Sequence, residues 1–149
     1  MTKLIICLYG VENSGKTSVI RKLANKFKLQ SKIYNEKEIK VPCKSDFRLC
    51  FHHERMKVGI ASGGDTLKIV KENLDFFFKE NCDVMIITAR SGGKSHKEIN
   101  KHSKNHEIIW YRQADVHRYY KGNSVYKNNL VSRTNNASAN FLYSLMTSD

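Results

Sequence analysis

An α/β fold is predicted, a parallel sheet with helices on both of its faces, and three observations predict it. Short, nearly continuous apolar runs recur at "KLIICLY" (3–9), "MKVGIAS" (56–62), "DVMIITA" (83–89) and "EIIWY" (107–111). Runs of that length without strict polar alternation are how strands read when both faces are covered. Between them stand stretches with apolar residues three and four apart, the helical period. Glycine-rich turns follow the first three runs, and open α/β sheets gather ligands at the carboxyl ends of their strands. Strand alternating with helix is the pattern of a parallel sheet.

The elements follow in order. Residues 3–9 read as a buried strand. From Lys16 the pattern turns helical, with Val19, Ile20, Leu23, Ala24 and Phe27 inward and Arg21, Lys22, Lys26 and Lys28 outward. The pattern is weaker over 32–57. There "KIYNEKEIKV" reads as a strand closed by Pro42, and "FRLCFHHER" alternates weakly. The strand at 56–62 ends in the turn Gly63-Gly64-Asp65, where Asp65 is placed to cap the next helix. Leu67, Ile69, Val70, Leu74, Phe77 and Phe78 give that helix its apolar side. The run 83–89 ends in "RSGGKS", "HKEINKHSK" reads as a short helix, and 107–111 is a further strand. The tail "RQADVHRYYKGNSVYKNN" is polar, basic and tyrosine-rich. A last amphipathic helix is expected near 136–146, with Phe141, Leu142 and Leu145 inward.

The length fits one domain, expected to span 1–149. A chain of this size buries roughly 70% of the surface its unfolded state exposes, enough to fold without staples. The net charge is +12, and residues 16–57 and 90–133 carry 12 and 10 of the 26 Lys and Arg. Two basic segments around a slightly acidic centre suggest an anionic partner, nucleic acid among them. Nineteen of the 26 cations are lysine and few cluster tightly, so solvated helix faces account for the charge equally well. The four cysteines form no C-x-x-C pair, and Cys43, Cys50, His52 and His53 lack the spacing of a usual zinc finger. Reduced thiols in a cytoplasmic protein are expected. The first apolar run is too short for a signal peptide or a membrane span, so no membrane partner is expected.

The chemistry concentrates at residues 8–18, "LYGVENSGKTS". Gly10 and Gly15 stand five apart, followed by Lys16, Thr17 and Ser18. A tight curl of backbone through Asn13 and Ser14 can wrap N–H groups around a phosphate chain, and glycines permit the curl. The helix opening at Lys16 turns its positive end to the same place. Lys16 adds a cation, and the Thr17 hydroxyl suits a magnesium shell. G-V-E-N-S-G-K-T matches G-x-x-x-x-G-K-[ST], and here the chain resembles the P-loop NTPases through their Walker A motif.

The resemblance implies nucleotide and Mg2+ at Gly10, Asn13, Ser14, Gly15, Lys16, Thr17 and Ser18, and with them a single nucleotide-binding domain over 1–149. It departs from the family beyond that. The strand 56–62 ends in Ser62 where a Walker B strand would end in aspartate; Asp65 comes three residues later and is the candidate second metal ligand beside Thr17. Asp83 starts its strand and so sits at the wrong edge. No N/T-K-x-D signature for guanine is present, which favours ATP. Small size and an N-terminal loop resemble the small-kinase branch, whose arginines enclose phosphates from a lid. Arg90, Arg112, Arg118 and Lys121 are candidates, with 112–133 as lid or basic loop. Lys16 and Arg90 are the expected catalytic groups, with a small-molecule phosphoryl acceptor as second substrate. The alternative is a nucleotide-gated nucleic-acid-binding or regulatory module, in which Tyr111, Tyr119, Tyr120 and Tyr126 stack bases while Arg118 and Lys127 meet phosphates. A third reading is an ATPase that drives a partner protein.

Overall fold

A computed structural model describes residues 3–11, 15–30, 33–40 (as backbone), 46–64, 66–90, 92–114, 116 and 124–147. Six strands form one sheet: β1 (Lys3–Gly10), β2 (Ile33–Lys40), β3 (Phe47–His53), β4 (Met56–Ala61), β5 (Val84–Arg90) and β6 (His106–Arg112). Their order is β2-β3-β4-β5-β1-β6. The four apolar runs are β1, β4, β5 and β6, and they are mutually parallel; β6, at the edge, is only half-buried. The weakly patterned region holds β2 and β3, which add to β4 as antiparallel neighbours. The sheet is therefore mixed at that edge. A tight Glu54-Arg55 turn joins β3 to β4, with Glu54 at φ 54°.

Among the described residues four helices cover the sheet: α1 (Lys16–Gln30), α2 (Leu67–Lys79), α3 (Lys94–Asn100) and α4 (Ser124–Thr147). Strand residues alternate between faces, and that alternation divides the core. Ile6 and Leu8 of β1 pack with Val19, Ile20, Leu23 and Phe27 of α1 and Ala139, Leu142 and Met146 of α4. Ile5 and Cys7 pack on the other face with Val70, Leu74 and Phe77 of α2 and Ile99 of α3. Helices on both faces, as expected, leave β1 buried.

The last helix is longer than the sequence pattern indicates, beginning at Ser124 rather than near 136. Its first turns carry little apolar inward surface, so hydrophobic period alone could not find them. Phe141 is not inward: it is 49% exposed and lies beside the Tyr111 ring. Leu142 is fully buried. The helix after β4 is capped by Thr66, whose hydroxyl accepts from Ile69 N–H at 3.2 Å. The cap expected of Asp65 thus falls to the next residue. Zinc ligation at Cys50, His52 and His53 finds no support, because strand alternation sends neighbours to opposite faces. Cys50 packs in the α2 core while His53 meets Phe27 of α1; Cys43 lies outside the described residues. Among the described residues no group of three or more metal-ligating side chains gathers, and no helix is long and apolar enough to cross a membrane.

Candidate functional site

Parallel strands end on one edge of the sheet. The carboxyl ends of β1, β4, β5 and β6 form a rim there, and the antiparallel β3 brings its beginning to the same rim. β1 lies inside the sheet with β5 on one side and β6 on the other. Its last residue, Gly10, is buried and stands in register with Arg90 of β5.

After Gly10 the chain turns into α1. Gly15 has φ +95°, a backbone conformation that side chains resist. The first i→i−4 bond of α1 runs from Val19 N–H to the Gly15 carbonyl at 3.0 Å. The amides before Val19 therefore point out of the helix, toward the loop. The Lys16 side chain folds back across the loop and is only 8% exposed. Its ammonium donates to the Gly10 carbonyl at 2.8 Å and to the Val11 carbonyl at 2.9 Å. Cys7 below is pushed up to about 12 by burial, with the Lys16 charge pulling the other way. Thr17 is half-buried and Ser18 exposed at the helix start. Asn13 and Ser14 lie outside the described residues.

These groups fit a phosphate chain: a helix N-terminus, a left-handed glycine and a cation already placed at the loop. For magnesium the described residues offer the Thr17 hydroxyl. Asp65 lies outside the described residues. The turn before it leans toward the centre of the sheet, because Gly64 N–H donates to Thr88 Oγ1 of β5 at 2.8 Å. A Cβ on Gly64 would stand 1.6 Å from the Thr88 carbonyl oxygen, so only glycine permits that approach. β4 itself is separated from β1 by β5, about 10 Å away at two strand spacings. Asp65 thus does not follow a neighbour strand of the loop, whereas Arg90 does. Ser62 is structural: its hydroxyl accepts from Phe47 N–H and donates to Asp46. Asp83 sits at the opposite edge, as expected, and accepts from Lys57 N–H at 2.9 Å.

Arg90 is exposed at the end of β5. The turn that follows it is fastened by His96 of α3, whose Nε2 lies 2.8 Å from the Arg90 carbonyl and 3.0 Å from Gly92 N. The His96 ring stacks on Trp110 at 4.4 Å and meets Tyr9 edge-on. On the other flank of β1, Gln113 continues β6 past its end, with its N–H donating to the Tyr9 carbonyl at 2.8 Å. Its side chain bonds to Asn135 of α4. Sequence reasoning missed His96, Gln113 and Asn135, since none belongs to a local motif. The stretch 112–133 divides: Arg112 ends β6, residues 124–133 are the first turns of α4, and 117–123, with Arg118, Tyr119, Tyr120 and Lys121, lie outside the described residues. Of the other candidate stacking tyrosines, Tyr111 packs against Phe141 and Tyr126 is 68% exposed.

The fold is that of a P-loop NTPase-like α/β protein. It superposes on the crystal structure of APE1195 with a TM-score of 0.53, covering 97% of this chain and 95% of that one at 15% identity. In sequence the chain is similar to the signal recognition particle 54 kDa proteins of Pyrococcus furiosus and Pyrococcus abyssi, each 26% identical over 121 residues and 70% of this chain. The chain spans about a quarter of those relatives, 26% of their length. No protein-family profile matches it. The sequence likeness, together with the loop, supports a P-loop nucleotide-binding protein; it gives no support to the small-kinase branch in particular.

Proposed function

We propose that the chain binds a nucleoside triphosphate, Mg-ATP in preference, at Gly10 to Ser18, and transfers or hydrolyses its terminal phosphate. The observation that carries this reading is the Lys16 ammonium, buried and held on the carbonyls of Gly10 and Val11 at the start of α1. Carbonyl oxygens of the loop itself are acceptors that this cation can exchange for phosphate oxygens. Backbone amides of the loop, through Asn13, Ser14 and Gly15, would bind the phosphates, and Lys16 would neutralise charge toward the terminal one. Thr17, with Asp65 as partner ligand, would hold Mg2+, which draws charge off the phosphate oxygens when bound. Arg90, level with Gly10 on the adjacent strand, would grip the terminal phosphate at two points. A small-molecule acceptor would complete a kinase-like reaction.

The test is release of ADP or GDP from ATP or GTP, with a panel of nucleosides, nucleotides and nucleic acids added in turn. Stimulation by a small acceptor supports the phosphotransferase. Stimulation by single-stranded DNA or RNA alone favours a nucleotide-gated nucleic-acid module instead. No binding of either nucleotide at millimolar concentration overturns both.

A further inference from the structure

We propose that Gln113 and Asn135 are positioning residues for the glycine loop, a buried amide pair that fixes Gly15 against α4. The proposal rests on reading 10–18 as the phosphate site. Asn135 is 4% exposed and Gln113 2%. Gln113 Nε2 donates to Asn135 Oδ1 at 3.0 Å, and the Gln113 backbone is tied to Tyr9 of β1. Both amide atoms of Asn135 face Gly15: a Cβ there would lie 2.9 Å from Oδ1 and 3.2 Å from Nδ2. The absent side chain of Gly15 is thus the seat of the Asn135 amide. A chain of contacts runs from β1 through Gln113 and Asn135 to the residue where the loop becomes α1.

Core stability is a poor account of this pair. Gln113 Oε1 is buried with no hydrogen-bond partner among the described residues, a burden that an apolar pair of like size would not carry. Neutral amides have a specific merit beside an anion site. The Asn135 amide oxygen accepts as a carboxylate would, without the negative charge that would repel phosphate. A preorganised loop also binds more tightly, because less ordering is left to the moment of binding.

Two measurements on the full chain test this. The first is amide hydrogen exchange of ligand-free protein. Asn135→Ala and Gln113→Ala should speed exchange over 15–19 while β4 and β5 keep their protection. Unchanged exchange at 15–19 overturns the proposal. The second is titration with fluorescent mono-, di- and triphosphates of adenosine and guanosine. Asn135→Ala should weaken both triphosphates by a like factor, about tenfold, as displaced binding groups do. The near-isosteric Asn135→Asp keeps the acceptor for Gln113, and its loss should grow from monophosphate to triphosphate. An alanine variant that is folded and binds both triphosphates as wild type does refutes the positioning role, and an aspartate variant that binds all three as wild type does refutes the argument from neutrality. If wild type binds no nucleotide, the phosphate reading fails, and the exchange experiment still decides whether the pair holds the loop.

Discussion

Lys16→Met separates what the buried ammonium does for the fold from what it does for a ligand. In the ligand-free protein its charge-assisted hydrogen bonds to the Gly10 and Val11 carbonyls are worth about 1.5–3 kcal/mol each. Against them stands the desolvation of a cation only 8% exposed, several kcal/mol after relaxation. The terms are of like size and opposite sign, so the variant should fold with stability within about 2 kcal/mol of wild type, small against the roughly 5–15 kcal/mol of a domain. With a triphosphate bound the balance changes. A unit charge pair at about 4 Å and an effective dielectric near 20 is worth about 4 kcal/mol. Surrendering the Gly10 and Val11 carbonyls offsets part of that gain. A net loss of about 2–3 kcal/mol, roughly 30- to 150-fold in affinity, is expected. Calorimetric titration with Mg-ATP and Mg-GTP, run beside urea unfolding, reads both halves. A folded variant with wild-type affinity would refute the reasoning.

Gly64→Ala should lower the urea midpoint by the equivalent of about 3 kcal/mol, since its Cβ must displace the β5 backbone and strain the bond to Thr88 Oγ1; an unchanged midpoint would mean the turn does not press on β5. Thr66→Ala should cost about 1 kcal/mol as a lost cap, whereas Asp65→Asn should leave the melt unchanged and weaken nucleotide binding only when magnesium is present. Thermal melts and titrations with and without magnesium separate the two. Burial pushes Cys7 and Cys82 up from 9.0 to about 12. The unfolded chain therefore releases those protons first. The thiols' contribution is full below about pH 9 and declines as pH rises toward 12, which a series of urea midpoints would show as a falling curve; a flat one contradicts it. If the basic segments hold a polyanion, affinity for single-stranded RNA should drop steeply between low and physiological salt, and undetectable binding at low salt leaves the charge to solubility.

The sequence was most legible where a residue's role is local. Continuous apolar runs gave β1, β4, β5 and β6, and the spacing of Gly10, Gly15 and Lys16 gave the loop. The antiparallel β2 and β3 were read faintly, because an edge pair carries polar residues that blur alternation. Their pairing with β4 rather than across a helix is a matter of topology, which period does not encode. Asp65 reads as the cap because it closes the glycine turn, yet Thr66 is as competent a cap, and only geometry chooses between adjacent residues. Gln113 and Asn135 were illegible for a different reason. Each is an ordinary polar residue in a polar stretch, and its meaning comes from a contact with Gly15 formed by distant chain.

The central place of β1 has a consequence for the order of synthesis. Leu4 pairs with Val84 and Lys3 with His106, so the strand that launches the loop waits for partners made much later. A ribosome releases residues 10–18 early, yet nothing frames them until β5 and β6 have followed, and Gly15 gains its α4 neighbour later still. Long-range pairing of this kind makes for slow folding. A nascent chain ending before 106 lacks the β6 flank of that frame. Any ligand that selects the finished loop would trap completed molecules by mass action, and so would act as a folding aid on every newly made copy.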